Sequence, residues 1–300
     1  MNKSGSKKKH KILLLGPNGQ LGGSIRNYSG NFYDIECIDK KKFDFLNPIN
    51  FFDILNKSKP NFVINAAAYT DVEGAESNAK LADKINGEAL KYISSACEQL
   101  NLTLIHFSTD YVFDGNTNKP YRENDKPNPI SKYGKSKLLG EKIISENMKN
   151  YMIFRTSGVI SKNSNNFINK IITAADTEKE LKIVHDQMTS LNHSDFLADA
   201  IYKVLSKIED GYKNSSGEIY NLVGKDAGTW YEFSKFAQKM FRNQKKEDKF
   251  VNVDIIPVSS EEMHFKAKRP KYSHLSSDKI KKDFSYSMPS WKESILEFLK

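Results

Sequence analysis

The chain has 300 residues, 38% of them hydrophobic, which is enough for one large α/β core with or without a smaller attached unit. The formal net charge is +9, and five lysines within residues 3–11 supply much of it. No apolar run of about 18 residues predicts a transmembrane helix, and the start lacks the apolar core of a signal peptide. Only two cysteines, Cys37 and Cys97, are present, which is typical of a reducing compartment. We therefore expect a cytoplasmic protein without a disulfide scaffold.

Residues 1–10 are polar, lysine-rich and without periodicity, so we predict a disordered basic tail. A solubilising extension is the preferred interpretation over a nucleic-acid-binding arm, and we expect neither nucleic acid nor a membrane as a partner. The milder positive excess elsewhere suits an anionic substrate such as a nucleotide diphosphate. The six histidines show no spacing typical of metal ligands, and we assign each to the surface or the core.

Short apolar strands alternate with helical patterns through the first half of the chain. This alternation predicts an α/β fold with a doubly wound parallel sheet of the Rossmann type, covered on both faces. The predicted strands are 12–15, 33–39, 62–65, 102–107 and 152–155. The predicted helices are 20–28, 49–57, 79–100 and 131–147.

The second half is less regular. We predict helices at 195–208 and 229–241, a strand at 218–222, and two loops at 114–130 and 261–277. Residues 11–160 are expected to form mainly the dinucleotide-binding domain. Residues 161–300 are expected to form mainly a smaller C-terminal substrate-binding region, interleaved with segments that return to the Rossmann unit.

A glycine turn, Gly16-Pro-Asn-Gly-Gln-Leu-Gly22, follows the first apolar strand and precedes a predicted helix. Its spacing is looser than Gly-x-Gly-x-x-Gly, but the strand–turn–helix context predicts a pyrophosphate cradle. Asp39 lies about twenty residues further on, where a carboxylate accepts from a ribose hydroxyl and favours NAD. The lysines at 40–42 could instead hold a 2′-phosphate. The choice between NADH and NADPH therefore stays open.

Tyr133 and Lys137 lie four residues apart on a predicted helix and so share a face, whereas Lys135 does not. Lys137 is expected to lower the pKa of the phenol from roughly 10 towards neutrality, which would make Tyr133 a proton donor to a carbonyl oxygen. Thr109, at the end of the fourth strand, is expected to orient that oxygen, and Ser108 competes for this role. The pattern predicts hydride transfer from a nicotinamide dinucleotide to a carbonyl.

Other polar or small residues follow the strands at the same edge of the predicted sheet. Asp44 and Phe45 could meet the edge and face of an adenine. Residues 66–70, Ala-Ala-Ala-Tyr-Thr, allow a flat cofactor to approach the backbone, although the alanines could equally serve packing. Residues 108–111, Ser-Thr-Asp-Tyr, are less easily explained by packing than by function.

These motifs together resemble those of the extended short-chain dehydrogenase/reductases, and more narrowly the dTDP-4-dehydrorhamnose reductase family. The matching stretches span nearly the whole chain in the family's order. They are Gly16–Gly22, 63–70, 75–77, Ser108-Thr-Asp-Tyr-Val-Phe-Asp-Gly115, 133–137, 155–157, 186–187, 230–233 and Arg269-Pro270.

The resemblance implies an NAD(P)H-dependent oxidoreductase that reduces the 4-keto group of a nucleotide-linked 6-deoxy sugar, with dTDP-4-dehydrorhamnose, a precursor in polysaccharide biosynthesis, as the leading substrate. It implies Thr109, Tyr133 and Lys137 as the catalytic set. It implies substrate contacts at Thr109, Asp110, Tyr111 and Arg269. It implies cofactor contacts at Gly16, Gly19, Gln20, Leu21, Asp39, Asp44, Phe45, Ala68, Tyr69, Thr70, Tyr133 and Lys137.

The chain departs from the family on the substrate side. Gly158 stands where the family usually has a tryptophan that is expected to pack on the sugar. The family's Asp-Gln-x-Gly-x-Pro-Thr becomes Asp186-Gln-Met-Thr-Ser-Leu-Asn192, and Arg-Pro-x-Asn-Ser becomes Arg269-Pro-Lys-Tyr-Ser273. We expect these changes to leave a roomier pocket, with relaxed acceptance of several 4-keto sugars or a bulkier preferred substrate.

Two alternative functions remain. One is a nucleotide-sugar epimerase with tightly bound NAD, and the other is a non-catalytic, reductase-like regulatory subunit, against which the complete catalytic set argues. Family members occur with and without a magnesium-dependent dimer. The sequence contains no clear acidic cluster that indicates Mg²⁺, and it leaves a homodimer undecided.

Overall fold

The computed structural model describes residues 9–28, 32–162, 164–212, 217–244 and 249–300. Residues 1–8 of the predicted basic tail lie outside this part, and the first strand already begins at His10. The strands are β1 His10–Leu15, β2 Tyr33–Ile38, β3 Phe62–Asn65, β4 Thr103–Thr109, β5 Tyr151–Thr156, β6 Val159–Ile160, β7 Glu180–Val184, β8 Met188–Thr189, β9 Asn192–His193, β10 Glu218–Asn221, β11 Gly228–Thr229 and β12 Asp254–Val258.

The helices connect and cover these strands. They are α1 Gln20–Tyr28, α2 Phe51–Ser58, α3 Val72–Ser77, α4 Ala79–Asp83, α5 Ala89–Gln99, α6 Lys132–Asn147, α7 Phe167–Ala174, α8 Ser194–Glu209, α9 Trp230–Asn243, α10 Asp278–Phe284 and α11 Trp291–Leu299. A π-helical turn, Lys84–Glu88, interrupts the helix predicted at 79–100 and separates α4 from α5.

The main sheet has six strands in the order β10-β5-β4-β3-β1-β2, and every neighbouring pair is parallel. This confirms the predicted doubly wound Rossmann sheet. The central strands β1 and β3 carry the buried apolar runs 12–15 and 62–64, because both faces of the sheet are covered. In β1, Ile12 and Leu14 pack into one buried cluster, while Leu13 and Leu15 pack into another, as the alternation of side chains across a strand requires.

The second half of the chain contributes in two ways. β10 returns to the edge of the main sheet, and α8 packs against α1. The elements α7, β7, α9, β12 and α11 instead enclose a third buried cluster, which contains Ile171, Phe233 and Trp291. Phe167 and Trp230 pack against this cluster.

Within the part of the chain that the structure describes, no helix is long and apolar enough to cross a membrane. Both cysteines are unpaired, and Cys97 is buried, which raises the pKa of its thiol.

Candidate active site

A cavity of about 710 Å³ lies at the carboxyl edge of the main sheet, where β1, β3 and β4 end. It brings together residues that the sequence places far apart. Of the predicted site residues, those that line it are Gly16, Gly19, Gln20, Leu21, Ala68, Thr70, Thr109, Asp110, Tyr111, Tyr133 and Lys137.

The glycine turn joins β1 to α1 in close contact with the end of β3. Gly16 has a φ of +74°, and a Cβ there would lie 2.7 Å from the backbone nitrogen of Ala67. A Cβ on Gly22 would overlap the carbonyl oxygen of Gly16. Only glycine fits at these two positions. The tight turn leaves the amino end of α1 facing the cavity, which is the arrangement that suits an anionic pyrophosphate.

Four predicted cofactor residues, Asp39, Asp44, Phe45 and Tyr69, do not line this cavity. Asp39 lies just beyond β2, and its carboxylate accepts hydrogen bonds from the backbone nitrogens of Lys41 and Lys42 at 3.0 and 3.3 Å. The Asp44 carboxylate closes a similar local turn, and the Phe45 ring packs edge-on against Phe43. The contacts of these four residues with a cofactor stay predictions.

A π-helical turn positions the segment that carries Tyr69. Within this turn the Asn86 amide accepts from the Tyr69 backbone nitrogen at 2.8 Å and donates to the Tyr69 carbonyl at 2.9 Å. It also donates to the Ser136 hydroxyl of α6 at 3.0 Å. Asn86 therefore connects the cofactor side of the cavity to the helix that carries Tyr133 and Lys137.

Tyr133 lies in the first turn of α6, whose N-cap Ser131 accepts from the Gly134 backbone nitrogen at 3.0 Å. Its side chain lines the cavity together with Thr109, and burial raises the pKa of Tyr133 above its ordinary value of 10.0. The expected lowering of the Tyr133 pKa by Lys137 is thus wrong for this structure. The physical reason is that Lys137 directs its amino group to other partners, so burial dominates. A phenol with a raised pKa stays protonated, as a proton donor must.

Lys137 is buried on the inner face of α6, whereas Lys135 is exposed, as the helical spacing predicts. The Lys137 Nζ donates to the Phe107 carbonyl oxygen at 2.6 Å and lies 3.4 Å from Nε2 of His106. Burial lowers the pKa of Lys137 to about 8, and the nearby Glu141 carboxylate acts in the opposite direction. The amino group therefore titrates close to the pH range in which enzymes work.

The Asp110 carboxylate is hydrogen-bonded to other side chains of the protein. Its buried carboxylate accepts hydrogen bonds from the hydroxyls of Thr109 at 3.1 Å, Thr189 at 3.2 Å and Ser273. Burial raises the pKa of Asp110 to about 6. Thr189 and Ser273 lie in the two segments that depart from the family pattern. Asp110 thus anchors both segments to the end of β4, and its predicted substrate contact stays a prediction.

Arg269 lines a second cavity of about 1070 Å³. The two cavities adjoin, because Phe167 and Trp230 line both. The Arg269 guanidinium pairs with the Glu73 carboxylate of α3 at 2.7 Å and lies 4.0 Å over the Phe265 ring. Its Nε is buried and makes no hydrogen bond within the described residues.

Gly158 does not leave an open space where a larger side chain could stand. Its φ is +44°, and a Cβ there would come within 3.0 Å of the Ser190 carbonyl oxygen. The Asn192 backbone nitrogen donates to the Gly158 carbonyl at 2.8 Å, and the Ser157 hydroxyl donates to the Ser190 carbonyl at 3.0 Å. The altered segment at 186–192 thus packs directly on Gly158. The expectation of a roomier pocket at this position is wrong, because backbone fills that space.

Two buried hydroxyls in the lining of the first cavity, Ser108 Oγ and Thr156 Oγ1, have no hydrogen-bond partner among the described residues. Unpartnered buried hydroxyls are costly unless a ligand or water satisfies them. Together with the glycine turn, they fit a dinucleotide whose polar groups enter this cavity. In the described ranges, no group of three or more His, Cys, Asp or Glu side chains is placed to hold a metal ion.

From the sequence we did not identify Asn65, Glu73 or Asn86 as site residues. We assigned His106 only to the surface or the core. Asn65 and His106 are paired in register on β3 and β4. The sequence did contain a signal for Asn65 and His106, because each is a polar residue that directly follows apolar residues in its strand. Glu73 and Asn86 carried no comparable signal, because they bind segments distant in sequence.

The parallel sheet, the glycine turn and the cavity that Tyr133 and Thr109 share with it define an α/β protein of the Rossmann type. Residues 10–300 match the RmlD substrate binding domain, and the chain belongs to that family. This confirms the resemblance drawn from the motifs.

Named relatives match over almost their whole length. The dTDP-4-dehydrorhamnose reductase of Burkholderia thailandensis is 30% identical over 287 residues, 95% of this chain and 96% of that protein. The spore coat polysaccharide biosynthesis protein SpsK of Bacillus subtilis is 32% identical over 291 residues, 97% of each chain. The crystal structure of dTDP-4-dehydrorhamnose reductase (rfbD) from Bacillus anthracis in complex with NADP is 31% identical, with a TM-score of 0.88 and coverage of 97% of this chain and 99% of that one.

Proposed function

We propose that this protein is a cytoplasmic reductase of dTDP-4-dehydrorhamnose that uses NADPH, with NADH as the second coenzyme. The observation that carries the proposal is that Tyr133, Thr109 and Lys137 line the same cavity as the glycine turn. The relatives named dTDP-4-dehydrorhamnose reductase and the NADP complex of the Bacillus anthracis enzyme support the substrate and the coenzyme.

In the proposed reaction, the glycine turn would hold NADPH, which would supply the hydride that reduces the C4 carbon of the sugar. Tyr133 gives its phenolic proton to the carbonyl oxygen, so that the C=O double bond becomes a C–OH single bond. Thr109 orients the carbonyl oxygen from the same cavity lining, and the Lys137 ammonium, one helical turn from Tyr133, offsets the negative charge of the phenolate without a direct hydrogen bond. Because the Tyr133 pKa is raised, the phenol is present in its acid form before each turnover.

The nucleotide half of the substrate is assigned to the larger cavity. Phe167 and Trp230, with ring centroids 4.6 Å apart, offer aromatic surface to a base where the two cavities adjoin. Arg269, whose side chain is partly exposed in the lining of the larger cavity, offers its guanidinium to the pyrophosphate. On this assignment residues 11–160 mainly bind the dinucleotide and residues 161–300 mainly bind the sugar nucleotide.

Arg269→Ala should raise KM for the sugar nucleotide by at least ~10-fold, because a hydrogen bond to a charged group contributes about 1.5–3 kcal/mol. KM for NADPH should stay unchanged. The control is Lys268→Ala, which removes an equal charge from the exposed neighbour. If Arg269→Ala and Lys268→Ala give the same KM for the sugar nucleotide, measured by initial rates, Arg269 does not bind the substrate.

Asp39→Asn should shift the NADPH/NADH ratio of kcat/KM towards NADPH by at least about fivefold. The reason is that two like charges about 4 Å apart repel by about 1 kcal/mol even in water, and the substitution removes one of them. Asparagine keeps an acceptor for the Lys41 and Lys42 backbone nitrogens, so the local turn is preserved. An unchanged ratio would place Asp39 away from the ribose.

NADPH oxidation with matched dTDP-, UDP- and GDP-linked 4-keto-6-deoxy sugars tests the proposed substrate. The dTDP-linked 4-dehydrorhamnose should give the highest kcat/KM. Preference for another base, or reduction of a different sugar at comparable efficiency, would contradict the assignment.

A further inference from the structure

A buried chain of side chains runs from the end of β3 through β4 to α6 and ends on Lys137. Asn65 and His106 are each 1% exposed, and Lys137 is 2% exposed. Asn65 Nδ2 lies 3.2 Å from His106 Nδ1, and His106 Nε2 lies 3.4 Å from Lys137 Nζ. None of the catalytic roles above uses Asn65 or His106.

The protons in this chain can be assigned from its fixed end. The Asn65 Oδ1 accepts from the Ala67 backbone nitrogen at 3.1 Å, and a backbone N–H can only donate. The amide is therefore oriented with its NH₂ group towards His106 Nδ1, which must accept. A neutral imidazole that accepts at Nδ1 carries its hydrogen on Nε2.

Burial and the charge of Lys137 lower the pKa of His106 well below its ordinary value, so the ring is neutral. Its Nε2–H then faces the Lys137 amino group. An ammonium at Nζ also presents only N–H donors, so the two groups oppose each other, whereas a neutral amine could accept.

We propose that Asn65 and His106 are positioning residues. Asn65 fixes the His106 tautomer, and the His106 Nε2–H faces the Lys137 amino group and so disfavours the protonated form of Lys137. This inference rests on the proposed reductase function, in which Lys137 acts as an ammonium. It adds that β3 and β4 set the upper limit of the pH range in which that ammonium is present.

Other charged groups also face Lys137, and their arrangement leaves His106 as the opposing contact. Glu141, on the same helix, favours the ammonium, but its carboxylate is bound by Arg155 of β5. Tyr133 lies one turn away on α6, and Asp110 follows β4 on the far side of Thr109. The Phe107 carbonyl accepts from Nζ at 2.6 Å in either protonation state.

Asn65→Asp should reverse the tautomer. One carboxylate oxygen can still accept from the Ala67 nitrogen, and the other accepts from His106, which moves the ring hydrogen to Nδ1. Nε2 then offers a lone pair to the Lys137 ammonium. In wild type, kcat/KM for the sugar nucleotide should fall as pH rises through the Lys137 pKa of about 8. In Asn65→Asp this fall should move upwards by at least about one pH unit.

Two comparisons separate the tautomer from simpler effects. Asn61→Asp places the same substitution before the other end of β3, where the side chain accepts from the Lys11 nitrogen at 2.8 Å, and should leave the profile unchanged. In a His106→Leu background, Asn65→Asp should no longer give the full shift. An equal shift without the histidine would show that the new carboxylate acts on Lys137 directly and would overturn the proposal.

The tautomer itself is read without turnover, from ¹⁵N shifts of the full-length protein labelled in its six histidines, with His106→Gln to assign the signal. Nε2–H at His106 in wild type and Nδ1–H in Asn65→Asp are the expected results. Nδ1–H in wild type would overturn the proposal. Because this measurement needs no substrate, a protein with the expected tautomer but no reductase activity would contradict only the proposed function.

Discussion

Tyr133→Phe is expected to lower kcat by at least ~100-fold, because general acid catalysis contributes about that much to the rate. The phenol is the one group that the proposed reaction uses as the proton donor, and phenylalanine preserves its ring within α6. Affinity for NADPH, measured by fluorescence titration, should change little, because the cradle is built by the glycine turn.

Tyr202→Phe is the matched control for this substitution. Its phenol is also largely buried and donates to the Ile25 carbonyl at 2.6 Å, but it lies outside both cavities. Turnover should stay close to wild type. Near-normal kcat in Tyr133→Phe would remove Tyr133 as the proton donor.

The largest effect on stability is expected at the ion pair between Arg155 of β5 and Glu141 of α6. The guanidinium binds both carboxylate oxygens, at 3.0 and 2.7 Å, and the two side chains are only 2% and 3% exposed. Arg155→Met or Glu141→Leu leaves one charge buried without its partner. Each should lower the free energy of unfolding by about 3–5 kcal/mol, measured by urea denaturation.

The double variant, Arg155→Met with Glu141→Leu, should recover most of the loss, because it removes both buried charges together. Lys225→Met breaks an exposed pair with Glu293 and should cost less than about 1 kcal/mol. A double variant as unstable as the two single losses added together would show that packing, rather than the unpaired charge, determines the effect.

The elements of the Rossmann sheet could be predicted because each carries a local signal. The strand 62–65 begins with the apolar run Phe62-Val63-Ile64, and the helix around Tyr133 begins at a serine N-cap. The elements that were not predicted, such as β7 and β12, are short and are stabilised by pairing with each other across more than seventy residues. The π-helical turn within the predicted helix 79–100 also has no local signal, because it depends on the Asn86 contacts with Tyr69 and Ser136.

The site could be predicted only in part, for a related reason. Spacing along α6 places Tyr133 and Lys137 on one face, and strand ends place Thr109 near them. Spacing does not reveal that Lys137 turns towards His106 and Phe107, so the direction of the Tyr133 pKa shift was wrong. Nor does it reveal that the segment around Ser190 packs on Gly158. Both outcomes depend on contacts between distant parts of the chain.

On the proposed function, this chain reduces the C4 carbonyl of dTDP-4-dehydrorhamnose with hydride from NADPH. Two parallel incubations test this, each with the purified protein, this sugar nucleotide and NADPH deuterated on one face of C4 of the nicotinamide. One of the two labelled coenzymes should deliver deuterium to C4 of the sugar, with one dTDP-rhamnose formed for each NADPH consumed. A rearranged sugar nucleotide without deuterium and without NADPH consumption would contradict the account and indicate an epimerase.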